Sequence, residues 1–302
     1  MRGSAAVALV VLFASACAST PPAKVAPPAM LAAAAAPLLT LGPNDLLFVG
    51  AGDIANCGPD LVNAEATALL IERFPQATVF AAGDNAYGSG TLMQYQQCYD
   101  PTWGRFKART KPTPGNHEYK SGAAGYFSYF AGIAPDYSFD LGNWHIVSLN
   151  SEKGKGPAKS QLDWLENDLR ETNQRCIAAF WHHPLFSSGS GHGNNPKMRP
   201  FWTILQRHKA DVVINGHDHD YERFAQQDDG GAPSANGIRE FVVGTGGKEL
   251  RSFRAPEPNS EARALEYGVL VLTLRANSYE WAFLRTDGVT LDRSSGPVEC
   301  HD

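Results

Sequence analysis

The sequence predicts an α/β fold, a layered sandwich of mixed sheets with helices outside. Three observations carry this: apolar runs of strand length that end in Gly-Asp or a polar cluster, segments of helical spacing between them, and a C-terminal third of alternating runs with no helical period. Residues 46–51 are a short apolar run ending in Gly-Asp, 61–74 have helical spacing, and 77–82 are a second apolar run ending in Gly-Asp. The chain therefore starts strand, helix, strand, with acids at the strand ends. Runs 137–141 and 144–149 flank Gly142-Asn143, a hairpin signal. Residues 159–171 read as an amphipathic helix, 177–181 as a strand, 198–208 as a helix and 211–214 as a strand. Runs 239–243, 268–274 and 279–285 read as antiparallel strands.

With 302 residues, 43% hydrophobic and 19% charged, the chain can bury a large core, which excludes disordered, collagenous and disulfide-miniprotein classes. A net charge of -5 offers no field for nucleic acid or an anionic membrane, so no nucleic-acid partner is expected. An anion handled here must be held by a local site. Residues 1–17 read as a signal peptide: Arg2, an apolar run too short to span a bilayer, then Ser15-Ala16-Cys17. The small residues before Cys17 are similar to a bacterial lipobox, which would put a lipid anchor on Cys17; the alternative is ordinary cleavage. The protein is thus expected to be exported, as a periplasmic or cell-surface lipoprotein or in secreted form. Residues 18–43, rich in Ala and Pro, cannot build a core and read as a linker. Residues 44–302 read as a single catalytic domain. Cys57, Cys98, Cys176 and Cys300 lack CxxC spacing and suggest disulfides; of three connectivities, sequence order favours Cys57 with Cys98 and Cys176 with Cys300.

The strand ends carry the chemistry. The runs terminate in Gly52-Asp53, Gly83-Asp84-Asn85-Ala86-Tyr87, Gly115-Asn116-His117-Glu118, Trp181-His182-His183-Pro184 and Gly216-His217-Asp218-His219. Each alone is explained by turn or cap chemistry. Five such loops, each offering an oxygen or imidazole donor after a strand, point to metal. Carboxylate, amide oxygen, phenol and imidazole without thiolate suit iron, manganese or zinc. Asp53, Asp84, Tyr87, Asn116, His182, His217 and His219 exceed one four-coordinate site, which implies two ions bridged by a carboxylate. Hydrolysis of phosphate esters is the natural use of such a pair.

This ordered set resembles the calcineurin-like metallophosphoesterases and, through Tyr87 three residues after Asp84, their purple acid phosphatase branch. Ala55 stands where the common superfamily opening has a histidine. The resemblance implies a four-layer α/β/β/α sandwich with mixed sheets and helices outside. It also implies a dinuclear centre of Fe(III) plus a divalent ion (Fe, Zn or Mn): Asp53, Tyr87 and His219 on the first ion, Asn116, His182 and His217 on the second, Asp84 bridging. His117 and His192 are the implied catalytic residues, contacting phosphate or donating the leaving-group proton, and the implied reaction is attack of a metal-bound hydroxide on a small phosphomonoester. The competing readings are a phosphodiesterase or nucleotide phosphohydrolase on the same site, or a surface lipoprotein that only binds metal or a partner. His183 reads as a packing residue; His145, His208 and His301 as structural or surface. Glu118 and Asp218 are expected to orient neighbouring histidines, the segment 221–223 to support the His217 loop, and Gly244-Thr245-Gly246-Gly247 to make a tight turn near the site. Tyr126, Phe127, Tyr129 and Phe130 read as a hydrophobic patch under a loop.

Overall fold

Among the described residues, seven strands form a first sheet in the order Thr290–Arg293, Ser278–Arg285, Gly268–Leu274, Leu46–Ala51, Thr78–Ala82 and Thr110–Thr113, with Val298–Glu299 paired to Ser278–Arg285. A second sheet orders Ser260–Ala264, Tyr221–Phe224, Arg239–Val243, Val212–Asn215, Cys176–Phe180, Trp144–Ser148 and Tyr137–Leu141. This computed structural model describes Met1 and residues 41–152 and 156–301. Residues 2–17 of the expected signal peptide, Cys17 among them, and all but the last three residues of the expected linker lie outside the described residues. No described helix is long and apolar enough to cross a membrane.

Alternation along the strands explains the layering. In the second sheet Ile146, Ala178, Phe180, Val212 and Ile214 enter the core shared with the first sheet. Their neighbours Val147, Ile177, Ala179 and Val213 join a separate cluster with Leu165, Leu169, Phe201 and Leu205 of the helices Lys159–Glu171 and Arg199–Arg207. Period-two side chains thus serve two buried faces of one sheet. The sheets meet through aromatic rings: Phe180 lies 5.8 Å from Phe48 and 6.4 Å from Phe80, and Tyr221 stacks on Phe283 at 4.0 Å. Fully burying each such ring contributes about 1.5–3 kcal/mol. Helix Leu61–Glu72 packs against strand Gly268–Leu274 of the first sheet and buries Ala64, Ala68 and Ile71. The predicted layers, mixed sheets and external helices are all present.

One expectation is corrected. The Arg239–Val243 strand was expected to be antiparallel with the C-terminal strands, but it sits in the other sheet, parallel to Val212–Asn215 and antiparallel to Tyr221–Phe224. Its own residues are buried on both faces, and strand direction is not encoded in such a run. The 221–223 segment lies in the strand Tyr221–Phe224, which directly follows the His217 loop. Its charged members are accommodated by specific partners: Arg223 Nε donates to Asp292 Oδ2 at 2.7 Å, and Glu222 accepts from Ser188 N at 2.7 Å. The favoured disulfides are formed, Cys57–Cys98 and Cys176–Cys300.

Candidate metal centre

Parallel strands of both sheets deliver their C-terminal ends to one place. Asp53 follows Leu46–Ala51, Asp84 follows Thr78–Ala82, Asn116 follows Thr110–Thr113, His182 follows Cys176–Phe180, and His217 and His219 follow Val212–Asn215. Tyr87 closes the short strand Ala86–Tyr87, which pairs with Ala55–Asn56. The loops are sharply bent: Asp53, Asp84 and His217 have φ of 59°, 49° and 73°, a region that non-glycine residues rarely occupy. Such strain persists where surrounding bonds over-determine it. Here Asp53 N donates to Gly83 O at 3.0 Å, and His217 N donates to Asp53 Oδ2 at 2.7 Å. At Gly83 (φ 83°) a Cβ would stand 2.5 Å from His182 Nδ1, so only glycine lets these loops converge.

All seven donors converge, in two groups. In the first, Asp53 Oδ1 is 2.6 Å from the Tyr87 hydroxyl and 3.3 Å from His219 Nε2, and the hydroxyl is 3.2 Å from His219 Nε2. In the second, His182 Nε2 is 3.2 Å from Asn116 Oδ1, 3.2 Å from His217 Nδ1 and 3.3 Å from Asp84 Oδ2. Edges near 3 Å are what donors about 2.1 Å from a shared ion would have. Asp53, Asp84 and His182 together offer three buried ligand atoms within 4.8 Å of one another.

The ring tautomers make the fit specific. His182 Nδ1 donates to Ala82 O at 2.9 Å, and His219 Nδ1 donates to Glu249 O at 2.7 Å, so each Nε2 presents its lone pair inward in the neutral ring. Burial and the neighbouring rings of His183, His182 and His192 push His217 well below the ordinary imidazole value, which keeps that ring neutral. His217 Nδ1 and His182 Nε2 face each other at 3.2 Å beside Asn116 Oδ1 and Asp84 Oδ2. Burial alone would raise the Asp84 carboxyl, yet His182 and His117 hold it well below the usual range; burial would lower His182, yet Asp84 and Asp53 carry it up to about 10. Carboxylates that draw a proton onto His182 draw a metal ion equally. Burial, then Asp53 and Asp84, push the Tyr87 phenol far above its ordinary value, so a phenolate there requires a cation among them. The residues therefore fit a two-ion site.

The two histidines expected to act on substrate border the donors. The His117 ring is 4.3 Å from Tyr87, its Nδ1 donates to Gly88 O at 2.7 Å, and its Nε2 is 3.9 Å from Asp84 Oδ2. The His192 ring stacks on His217 at 3.9 Å. Asn116, His117, His192 and His217 are partly solvent-accessible, while Asp53, Asp84, Tyr87, His182 and His219 are buried, so the site opens on the side of the second group.

With this geometry in place, comparison with known proteins is informative. Residues 32–221, well over half of the chain, match the calcineurin-like phosphoesterase family. The chain belongs to that family. Among curated relatives it is 30% identical over 209 residues to purple acid phosphatase 21 of Arabidopsis thaliana, covering 58% of this chain and 48% of the relative. It is 29% identical over 194 residues to acid phosphatase type 7 of Mus musculus, covering 51% and 44%. These relatives place it with the purple acid phosphatase-like branch, although it spans about half of their length. The fold is shared with a purple acid phosphatase from yellow lupin (Lupinus luteus) seeds, with a TM-score of 0.68 and 20% identity over 82% of this chain and 53% of that one. It is shared equally with GAP50, described as the anchor in the inner membrane complex of Plasmodium, with a TM-score of 0.69 and 15% identity over 85% and 90%.

Around this calcineurin-like phosphoesterase centre, several expected roles need correction. Glu118 was expected to orient a histidine; instead its carboxylate accepts from Gly115 N at 2.8 Å and Ala86 N at 3.1 Å, stapling the Asn116 loop to the Tyr87 loop. Burial and then Asp84 push it up to about 8. Asp218 reaches the backbone of a distant histidine rather than a neighbouring ring: it accepts from Ser187 Oγ at 2.6 Å, His192 N at 3.0 Å and Gly193 N at 2.9 Å. Glu222 and Glu240 continue this arrangement, accepting from Ser188 N and Leu185 N at 2.7 and 3.0 Å. Nothing in a local motif reveals these links, because donor and acceptor are 25 to 55 residues apart. The 244–247 turn does lie beside the site, where Lys248 N donates to Asp53 O at 2.9 Å. His183 packs on His217 at 4.0 Å and pairs with Glu152 at 2.7 Å; Tyr126, Tyr129 and Phe130 are buried against Tyr95 and Tyr99.

Proposed function

We propose that this protein is a purple acid phosphatase-like, metal-dependent phosphoric ester hydrolase acting on small phosphomonoesters. The observation that carries the reading is the convergence of His182 Nε2, His217 Nδ1, Asn116 Oδ1 and Asp84 Oδ2 beside the group of Asp53, Tyr87 and His219. In this reading Asp53, Tyr87 and His219 hold a first ion, Fe(III), for which a phenolate is an apt partner; Asn116, His182 and His217 hold a divalent Fe, Zn or Mn; and Asp84 bridges. When bound, such a pair supplies positive charge for the phosphoryl oxygens and acidifies a water. The chain's own groups do the rest. Asp84 is held in its anionic form by His182 first and then by His117, whose backbone N–H donates to it at 2.7 Å. His117 and His192 flank the open side, where their ring nitrogens can bind phosphate oxygens or hold the proton that a leaving alkoxide needs.

Export, lipidation at Cys17, the 18–43 linker and the single domain 44–302 belong to the same proposal, supported by the signal-like residues 1–17 and by two disulfides, which persist in oxidising compartments. The fold shared with a protein described as an anchor keeps a non-catalytic reading in view. Assay of the purified protein with a chromogenic monoester and a diester, together with elemental analysis, separates the readings. Two metal ions per chain and preferential monoester turnover are expected. Faster diester turnover would shift the assignment to a phosphodiesterase, and tight metal binding without turnover of either would leave a binding protein.

A further inference from the structure

Two cations outside every motif meet the flanking histidines. Arg251 Nη1 lies 2.7 Å from His192 Nε2, and Lys120 Nζ lies 2.9 Å from His117 Nε2. A guanidinium only donates, so the His192 nitrogen accepts from Arg251, while the Lys120 ammonium sits beside the His117 ring, 2.9 Å from Nε2 and 3.0 Å from Nδ1. Both cations are placed by the fold. Arg251 N donates to His219 O at 2.9 Å, and its loop zips to the His192 loop through Ser190 N to Ser252 O and Arg254 N to Ser188 O, each 2.8 Å. A Cβ on Gly191 would stand 2.9 Å from Arg251 Cδ, so this glycine leaves room for the guanidinium stem. Lys120 caps the helix Asn116–Tyr119, three residues past His117. Neither charge is well neutralised. Lys120 forms no ion pair among the described residues, and the carboxylate facing Arg251, Glu249, is 3.9 Å away and already paired with Lys248. In a chain of net charge -5, two under-compensated cations on one rim run against the overall balance.

Their histidines stand at different parts of the cluster, one on Tyr87 and one on His217. We propose that Lys120 and Arg251 are specificity-determining residues, and that the favoured ester carries a second anionic group, a carboxylate or another phosphate, beside the phosphoryl group that is cleaved. This deepens the phosphoesterase reading and rests on it. The transferred phosphoryl group is served by the ions and the two imidazoles. A cation beyond each imidazole is placed for the remainder of the substrate, where the Arg251 fork suits a planar oxyanion and Lys120 acts as a point charge. A neutral alcohol would use neither.

The test is calorimetric binding of non-hydrolysable probes to the metal-loaded protein: propylphosphonate, phosphonopropionate and propylenediphosphonate, which share a chain and differ in the second group. Wild type is expected to bind at least one of the two doubly anionic probes roughly tenfold or more tightly than propylphosphonate, and which of them it prefers identifies the second group. R251Q and K120Q should each shrink that preference by about tenfold, with R251K retaining part of it. A wild type without preference, or variants that keep it in full, overturns the proposal. Turnover of para-nitrophenyl phosphate, measured alongside, separates the two levels. Turnover without probe preference removes this inference alone; neither turnover nor binding of any probe removes the phosphoesterase reading with it.

Discussion

Asp84 is the residue on which the two donor groups depend. It is buried, one oxygen takes the His117 N–H at 2.7 Å, and the other lies 3.3 Å from His182 Nε2. Removing it leaves His182 facing His217 and Asn116 with no anion between the groups, so Asp84→Ala should lower the metal content below two per chain and reduce turnover by more than about 100-fold. Normal metal content and rate in that variant, measured by elemental analysis and steady-state assay, would refute the bridging role. Tyr87→Phe isolates a different property. Its ring would still pack on His117, but the hydroxyl that meets Asp53 and His219 is gone. Loss of a visible absorption band in the iron-loaded variant is expected, and an unchanged spectrum would rule out iron at that phenolate. Gly83→Ala should destabilise by about 1–3 kcal/mol in urea unfolding, because a side chain at positive φ is strained and its Cβ would press on His182.

Elements hold these residues through charges that the sequence does not advertise. His145 on strand Trp144–Ser148 is bracketed by Asp140 of the preceding strand and Asp168 of helix Lys159–Glu171, each at 2.8 Å. Burial would lower its pKa, but the bonds to Asp168 and Asp140 win and raise it. A folded-state value above the unfolded one means that the stabilisation is complete below about 6.5 and is lost as pH rises through the folded value. Asp168→Asn should therefore cost on the order of 1 kcal/mol more at about pH 5.5 than at about pH 8.5; an equal cost at both would show the pair to be a neutral contact. What was legible in the chain followed burial. Strands such as Leu46–Ala51 and Gly268–Leu274 are continuous buried apolar runs, the helix Lys159–Glu171 buries residues four apart, and all three are readable to the residue. Ser260–Ala264 alternates half-buried and exposed small or charged residues, and Thr110–Thr113 is an edge strand containing Pro112, so neither leaves an apolar run to read. The seven candidate donors can be read in the sequence because each stands at or just after the end of a strand. Arg251 and Lys120 cannot, since their importance lies only in which histidine they touch after folding.

For the molecule as a whole, the site requires two sheets to stay in register, since Asp53, Asp84 and Asn116 come from the first and His182, His217 and His219 from the second. Inter-sheet aromatic packing contributes to that coupling, and one covalent link adds to it. Cys176 begins a central strand of the second sheet, and Cys300 follows Val298–Glu299, which pairs with the first, so their disulfide closes a 124-residue separation across both layers. In the chain-entropy account such a loop is worth about 5 kcal/mol, with measured losses of roughly 2–5 kcal/mol. Cys57–Cys98 spans 41 residues and acts locally, its Cys57 side lying against the Tyr87 carbonyl. The two bridges should separate experimentally. Cys176→Ser/Cys300→Ser is expected to lower the urea midpoint substantially while the folded fraction keeps its full metal content, because no ligand loop is attached to that bridge. Cys57→Ser/Cys98→Ser should instead weaken retention of the ion near Tyr87 at a smaller global cost. Equal metal loss in both variants would mean that the sheets are held in register by the Cys176–Cys300 link itself rather than by the packed rings of Phe48, Phe80 and Phe180.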